Sequence, residues 1–422
     1  MKFEKYHISE DIKKNLAELG FKKPTDIQFK SIPSILKGED VLAIAQTGTG
    51  KTLAFAIPVI DKIHSFKSSK RAVGIKCLVM VPTRELAMQI SDVFNQLSRH
   101  TKVKSFVVYG GVDQDAQIKK LQAGIDILIA TPGRMFDLIS QGFIKIKGIH
   151  TLVLDEADRM LDKGFIKDIQ SVKKMLPGKH QTLFFSATIN KQIKKLAYSQ
   201  VKSTAIRIQI SPEDPVSKNV SHFVMFVEMD DKRVFLERFI NENPDRRIIV
   251  FVRTRVRAER VANAMKRVGI TVFTIHGEKD QAHRSHVMES FKKGESNILI
   301  ATDVSARGID IPDVHFVINY DMPVEPENYV HRIGRTGRGF SKGIAISFCS
   351  KEEKGRLEAI QELVHKKIEE IKISKKNYAR TIDRPSGEKS AEDLIRAQEA
   401  WENKKGKKKK KRRATGSYSP PK

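Results

Sequence analysis

Short apolar runs alternate with longer amphipathic stretches through most of the chain. Residues 8–19 place Ile8, Ile12, Leu16 and Leu19 at helical spacing, with Gly20 as a stop. The runs that follow are four to six residues long, rich in Val, Ile and Leu, with little alternation. In the first half they are Val41–Ala45, Cys77–Val81, Phe106–Tyr109, Ile125–Ala130, Thr151–Leu154, Thr182–Phe185 and Ala205–Ile210. In the second half they are Ile248–Val252, Val272–Ile275, Ile298–Ala301, Val314–Ile318 and Ile344–Phe348. Such runs suit strands buried on both faces. Their alternation with helical segments predicts an α/β protein with parallel sheets and right-handed crossovers.

The pattern breaks twice. Ser211–Asn219 carries two prolines and no apolar periodicity, which predicts a linker. Past about residue 374 the chain is polar and charged, with at most one short helix near Ala391–Trp401. Such a stretch buries too little apolar surface to offset its ordering entropy. The expected organisation is a first α/β domain over 1–210, a linker over 211–219, a second domain over 220–373 and a basic, mostly disordered tail over 374–422.

Charge narrows the function classes. The 422 residues hold 77 Lys plus Arg against 50 Asp plus Glu, a formal +27. Residues 404–422 supply ten of the cations and no acid, so residues 1–403 still carry +17. A body this basic points to a polyanion, a nucleic acid or an anionic membrane surface. The two cysteines, Cys77 and Cys349, are far apart in apolar surroundings. That excludes a disulfide scaffold and a Cys-rich zinc site, and it suits a reducing cytoplasm. No secretory signal is evident in MKFEKYHISEDIKK, and no run approaches the 18 or so apolar residues of a membrane span.

Three segments carry chemistry. AQTGTGKT, Ala45–Thr52, follows the predicted strand Val41–Ala45 and precedes helical sequence. Gly48 and Gly50 let backbone N–H groups turn toward phosphate oxygens. Lys51 can reach the terminal phosphates, and the Thr52 hydroxyl suits Mg²⁺. The usual phosphate-loop pattern opens on Gly, where this chain has Ala45. TLVLDEAD places Asp155 and Glu156 just past the strand Thr151–Leu154. A nucleotide hydrolase needs one carboxylate for Mg²⁺ and one to orient or deprotonate water, which fits Asp155 and Glu156 in that order. HRIGRTGR, His331–Arg338, packs three arginines and two glycines into eight residues. Its guanidinium forks can stabilise charge on a transferring phosphoryl group, and a helix would bring Arg335 and Arg338 near one face.

DEAD itself, Asp155–Asp158, joined to these segments, resembles the DEAD-box RNA helicases of superfamily 2 over roughly residues 1–370. Around GRMFDLI and LDEADRMLDKGF the chain looks most like the bacterial RhlE-type subgroup. The resemblance implies two tandem RecA-like domains with parallel sheets, and ATP with Mg²⁺ as cofactors. It implies Lys51, Asp155, Glu156, Arg335 and Arg338 as catalytic, and Thr52 and Asp155 as metal-holding. GFKKPTDIQ resembles the adenine-reading motif: the Gln28 amide can pair a donor and an acceptor on adenine, with Phe21 or the isolated Phe3 packing on the base. Ala45, Gln46, Thr47, Gly48, Thr49, Gly50, Lys51 and Thr52 would line the phosphates, and Gly308 and Asp310 of ATDVSARGID the ribose side.

RNA-binding motifs are matched at Pro82, Thr83 and Arg84, at Gly110 and Gly111, and at Thr131, Pro132, Gly133 and Arg134. In the second half they are matched at Arg253, Gln281, Arg284 and Thr302. These types suit sugar–phosphate contact and carry no base readout. Ser186, Ala187 and Thr188 resemble the coupling motif, whose hydroxyls could bond Asp158, with His331 joining from the second domain. The implied enzyme is an RNA-dependent ATPase that closes its two domains on ATP and single-stranded RNA and locally unwinds short duplexes. An ATP-gated RNA clamp or annealer and a DNA-directed superfamily 2 motor are the alternatives. The RNA target stays open among ribosome assembly, cold adaptation and RNA turnover, as does the oligomeric state. A basic tether role is expected for residues 404–422.

Overall fold

The seven apolar runs of the first half become the seven strands of one sheet, and every pairing in it is parallel. The computed structural model describes residues 2–45, 48–69, 74–188, 190–210, 219–277, 279, 281–303, 314–337, 342–374, 377–379 and 381. Among the candidate residues, Gln46, Thr47, Gly308, Asp310 and Arg338 lie outside that set, as does the side chain of Gln281. So do the expected linker up to Lys218 and the expected tail beyond Thr381. The chain divides into two compact units between Pro215 and Val216.

In the first unit the strands are β1 (Val41–Ala45), β2 (Cys77–Met80), β3 (Ser105–Val108), β4 (Ile127–Ala130), β5 (Thr151–Leu154), β6 (Gln181–Ser186) and β7 (Ile206–Ile210), in the order β3-β4-β2-β5-β6-β1-β7. β1 shows why they form. Val41, Ala43 and Ala45 enter one core, and Leu42 and Ile44 enter another on the opposite face. Both faces are therefore covered by helices, as an apolar run without alternation requires. The helices on the first face are α1 (Glu10–Glu18), α2 (Asp26–Leu36), α3 (Lys51–Ser69) and α4 (Arg84–Leu97). On the second face lie α5 (Gln114–Gln122), α6 (Pro132–Ser140), α7 (Ala157–Asp162), α8 (Ile166–Met175) and α9 (Lys191–Gln200). Gly20 takes φ +78 after α1, the left-handed stop expected of it.

Among its described residues the second unit holds seven strands where the apolar runs predict five. They are β8 (Val220–Phe226), β9 (Ile248–Val252), β10 (Phe273–Ile275), β11 (Ile298–Thr302), β12 (Phe316–Asn319), β13 (Gly343–Cys349) and β14 (Glu369–Glu370), ordered β10-β11-β9-β12-β13-β8-β14 and again all parallel. β8 opens directly after the expected linker and carries Ser221 and His222, which hide its run. β14 is two glutamates at a sheet edge, with no apolar signal. The expected boundary at residue 374 also falls early. Tyr378 stacks 5.0 Å from Phe235, and its hydroxyl donates to Asp231 Oδ2 at 2.7 Å. A single anchored aromatic in a polar stretch is invisible to composition.

One buried arginine ties this unit together. Arg332 lies on α13 (Pro326–Ile333, following helices α10 Lys232–Glu242, α11 Arg255–Arg267 and α12 Gln281–Lys293). It is 1% exposed. Its fork grips Asp303 past β11, with Nε–Oδ1 at 2.6 Å and Nη2–Oδ2 at 2.8 Å. Nη1 donates to Asn319 Oδ1 at 3.1 Å and to the Asp321 carbonyl at 2.7 Å, and the guanidinium lies 5.2 Å from the Phe251 ring centroid. Three strand ends thus share one cation. Removing one partner of a buried pair strands the other charge. Arg332→Met should lower stability by about 3–5 kcal/mol, read as a lower denaturant midpoint at unchanged slope. An unmoved midpoint would show that the fork contributes nothing net.

Candidate functional site

Parallel strands leave all their C-terminal ends on one edge of each sheet, where loops can gather. In the first unit the candidate residues follow that rule and also sort along the edge. The phosphate loop follows β1, DEAD follows β5 and SAT follows β6, and these three strands are neighbours. The three RNA motifs follow β2, β3 and β4, the other contiguous group.

At the nucleotide end, Gly48 and Gly50 take φ +83 and +89 between β1 and α3. A Cβ on Gly50 would lie 2.4 Å from the Gln28 amide nitrogen, so the close approach itself demands glycine. Gln28 Nε2 donates to the Gly50 carbonyl and Gln28 Oε1 accepts from Thr25 N–H, both at 3.0 Å. Each amide atom has one hydrogen-bonding position left, enough for one donor and one acceptor contact to a base. Thr25 Oγ1 donates to the Thr49 carbonyl at 2.7 Å, which ties this segment to the phosphate loop. Of the two phenylalanines considered, Phe3 is spent in the core beside Tyr6, whereas Phe21 is 40% exposed. Lys51 Nζ donates to the Ala45 carbonyl at 2.7 Å, and two further donors remain on the ammonium.

Asp155, Glu156 and Asp158 are all buried. Asp155 Oδ1 accepts from Glu156 N–H at 3.0 Å. Burial pushes the Asp155 carboxyl up to about 7; Lys51 pulls the other way, and Glu156 adds to the rise. Thr52 and Asp155 offer oxygen donors alone, the set a hard dication takes, and a cation would offset the cost of the buried carboxylate. The donor set therefore fits Mg²⁺. Glu156 sits in the left-handed region at φ 52, uncommon for a side chain of its size. Its carboxylate is paired with the Arg159 guanidinium, one turn along α7 and 2% exposed. Motif matching passes over Arg159, although the i,i+3 spacing to Glu156 could have signalled it.

The expected coupling contact is present and is mostly backbone. Asp158 Oδ2 accepts from Ala187 N–H at 3.1 Å, Thr188 N–H at 3.0 Å and Thr188 Oγ1 at 3.1 Å. The Ser186 hydroxyl departs from the expectation: it donates to the Thr188 carbonyl at 2.8 Å. Its other oxygen, Oδ1, accepts from Arg159 N–H at 3.1 Å.

At the other end of the edge, Arg84 begins α4 after the cap Thr83, whose Oγ1 accepts from Leu86 N–H at 3.3 Å. The Arg84 guanidinium lies close against Gly111, where a Cβ would clash with Nη1, and near Gly110. Arg134 Nη2 donates to the Val112 carbonyl at 3.1 Å. Pro82, Thr83, Arg84, the Gly110–Gly111 pair and the Thr131–Pro132–Gly133–Arg134 turn are thereby drawn together across residues 82–134.

In the second unit Arg253 and Arg284 follow β9 and β10, and Thr302 closes β11; the three strands are neighbours. Arg253 is exposed, and its N–H donates to Asp321 Oδ2 at 2.9 Å. Gln281 opens α12. His331 lies on α13, but that helix stops at Ile333, so Arg335 stands beyond it; Arg338, expected on the same helical face, lies outside the described residues. Arg335 is 5% exposed, with Nε donating to the His331 carbonyl at 3.2 Å. Arg332, within the same arginine-rich segment, is committed to Asp303. Nothing local in sequence links residues 303 and 332.

The Asp155 carboxyl holds its proton more tightly folded than unfolded, where it titrates near 3.8. Its contribution to stability is fully present below that value and is lost as pH rises through about 7. In chelator, Asp155→Asn should melt above the wild-type chain, with the gap widening from pH 6 to pH 8.5 toward an upper limit of about 4 kcal/mol. A gap independent of pH would show that this carboxyl is ionised throughout.

The comparisons with known proteins agree with this layout. The profile described as DEAD/DEAH box helicase matches residues 25–196, and that described as Helicase conserved C-terminal domain matches residues 231–339. The chain is 38% identical over 370 residues to the DEAD-box ATP-dependent RNA helicase CshA of Geobacillus kaustophilus, covering 88% of this chain and 78% of that one. It is 40% identical over 370 residues to the ATP-dependent RNA helicase CshA of Listeria monocytogenes, covering 88% and 70%. Among solved structures it is similar to S. cerevisiae Dbp5 bound to RNA and ADP BeF3, with TM-score 0.79, 31% identity and coverage of 87% and 94%. A chain built of two RecA-like units, each with a sheet of parallel strands, with phosphate loop, DEAD and SAT gathered at neighbouring strand ends of the first, belongs to the DEAD-box ATP-dependent RNA helicases.

Proposed function

We propose that this chain hydrolyses ATP when single-stranded RNA is bound and uses the cycle to open short duplexes and remodel RNA or ribonucleoprotein. The observation that carries this reading is the sorting of one sheet edge into a nucleotide group after β1, β5 and β6 and an RNA group after β2, β3 and β4. β5 lies between β2 and β6, so DEAD stands where the groups meet, with Asp158 bonded to Ala187 and Thr188.

In this reading Phe21 and Gln28 select adenine, the loop from Ala45 to Thr52 binds phosphate, and Lys51 neutralises it. Thr52 and Asp155 hold Mg²⁺, which when bound supplies charge neutralisation on the phosphates. Glu156 orients the attacking water, held ready by Arg159. Arg84, Arg134, Arg253 and Arg284 contact RNA through its backbone, which predicts little sequence preference from the core. Arg335 and Arg338 stabilise the transferring phosphoryl group when ATP and RNA draw the units together.

GRMFDLI and LDEADRMLDKGF support an RhlE-type place within the family, while the curated relatives compared carry the CshA name. Buried, unpaired Cys77 and Cys349 support a reducing, cytoplasmic setting. Among the described residues no helix is long and apolar enough to cross a membrane. Ribosome or RNA-decay assemblies are the candidate targets.

ATP hydrolysis measured with no nucleic acid, with single-stranded RNA and with matched DNA tests the reading. Strong stimulation by RNA alone is expected. Glu156→Gln should lower the stimulated rate by about 100-fold or more. Equal stimulation by DNA would point to a DNA-directed motor, and hydrolysis without duplex opening to a clamp.

A further inference from the structure

Charge is spread unevenly over the chain. Residues 163–210 carry ten Lys or Arg against one acid, Asp168. Residues 1–162 carry 24 against 18, and residues 211–403 carry 33 against 31. More than half of the first unit's net charge therefore sits in less than a quarter of its length, in the segment that carries α8, α9, the edge strand β7 and the loops joining them.

The packing turns that charge outward. Ile169, Val172, Ile193 and Leu196 take the inner sides of α8 and α9 into the core. Lys167 and Lys174 of α8, and Lys191, Lys194 and Lys195 of α9, are exposed. Lys173 joins the two helices: Nζ donates to the Gln200 carbonyl at 2.9 Å and also contacts the Ser199 carbonyl. Counter-charge nearby comes from few acids, of which Asp162, at the end of α7, is exposed. Asp168 is half-buried, and Asp40, itself buried, lies 3.7 Å from Lys202.

Charge alone would leave a solvated face. Tyr198 adds a second, independent feature. It is 43% exposed, far from any core role, with the Arg207 guanidinium 4.8 Å and the Lys194 ammonium 5.9 Å from its ring centroid. An open aromatic ring rimmed by cations can stack a base while the cations take the flanking phosphates. Helical spacing puts Lys191, Lys194, Lys195 and Tyr198 on one side of α9, over about 10 Å. None of the RNA residues proposed above lies on this face.

We propose that the α8–α9–β7 face is a second RNA-binding surface, which holds a single-stranded stretch flanking the segment engaged at the sheet edge. Phosphates lie along the lysines of the two helices, and one base stacks on Tyr198. The inference rests on RNA being the partner, as read under the proposed function.

The test uses the full chain and two labelled oligouridylates, one of about 6 nucleotides that fills the edge site and one of about 30 that reaches beyond it. Affinity is read across a salt series. Replacing Lys174, Lys194, Lys195 and Arg207 together by Gln should weaken the long RNA at least tenfold at low salt. The salt slope should fall by up to about 0.7 per lost cation. Tyr198→Ala should weaken the long RNA about tenfold with the slope unchanged, because stacking releases no counterions. Binding of the short RNA, and hydrolysis of ATP saturated with it, should match wild type in both variants. Wild-type affinity and slope on the long RNA would overturn the proposal and leave a solvated face. Equal losses on both lengths would overturn it too, by placing the effect at the edge site. A wild-type chain that binds neither length would remove the RNA reading itself.

Discussion

Parallel pairing is the constraint on which the rest of this protein depends. A strand paired in parallel with its neighbour must be followed by a crossover back to the starting edge. Every strand in both sheets is paired this way, so every strand delivers its following loop to the same edge. The motifs between Ala45 and Thr188 are thus forced together despite their spread along the chain. The strand order then sorts them. Sequence order interleaves nucleotide and RNA motifs; the order β3-β4-β2-β5-β6-β1 separates them into two groups that meet at DEAD.

An edge that handles phosphate must bury charge, and the structure shows how that is tolerated. Asp158 spends one carboxylate oxygen on three donors from Ala187 and Thr188. Glu156 is paired with Arg159, and Arg332 satisfies Asp303, Asn319 and the Asp321 carbonyl together. Asp155 differs: burial pushes its carboxyl up to about 7. A carboxylate kept this costly suits a ligand cation better than a structural role.

The basic character of the chain also has a structure. Residues 211–403 are close to neutral, with 33 cations against 31 acids, while the segment of α8, α9 and β7 concentrates positive charge on the first unit. Backbone-directed recognition needs such charge because phosphates carry the affinity and no sequence information.

Much of this was legible from the chain itself. Apolar runs such as Val41–Ala45 and Ile248–Val252 mark buried strands because burial on both faces removes alternation. The glycines of the phosphate loop and the DEAD carboxylates announce their chemistry because the geometry they serve is local. Where the cause is not local, the sequence is silent. β14 is two glutamates that become a strand through the edge offered by β8. Tyr378 docks on Phe235 from a stretch whose composition suggests disorder. Phe3 and Phe21 are alike in type, and only the core beside Tyr6 claims one and leaves the other exposed. Arg332 shares its segment with Arg335, yet the fork to Asp303 makes it a structural pivot. Sequence by itself determined most of the elements and the chemistry their residues can offer, because both depend mainly on near neighbours. The tertiary structure decided which groups stand together and which charges are spent on each other, because strand order and burial depend on residues far apart in the chain.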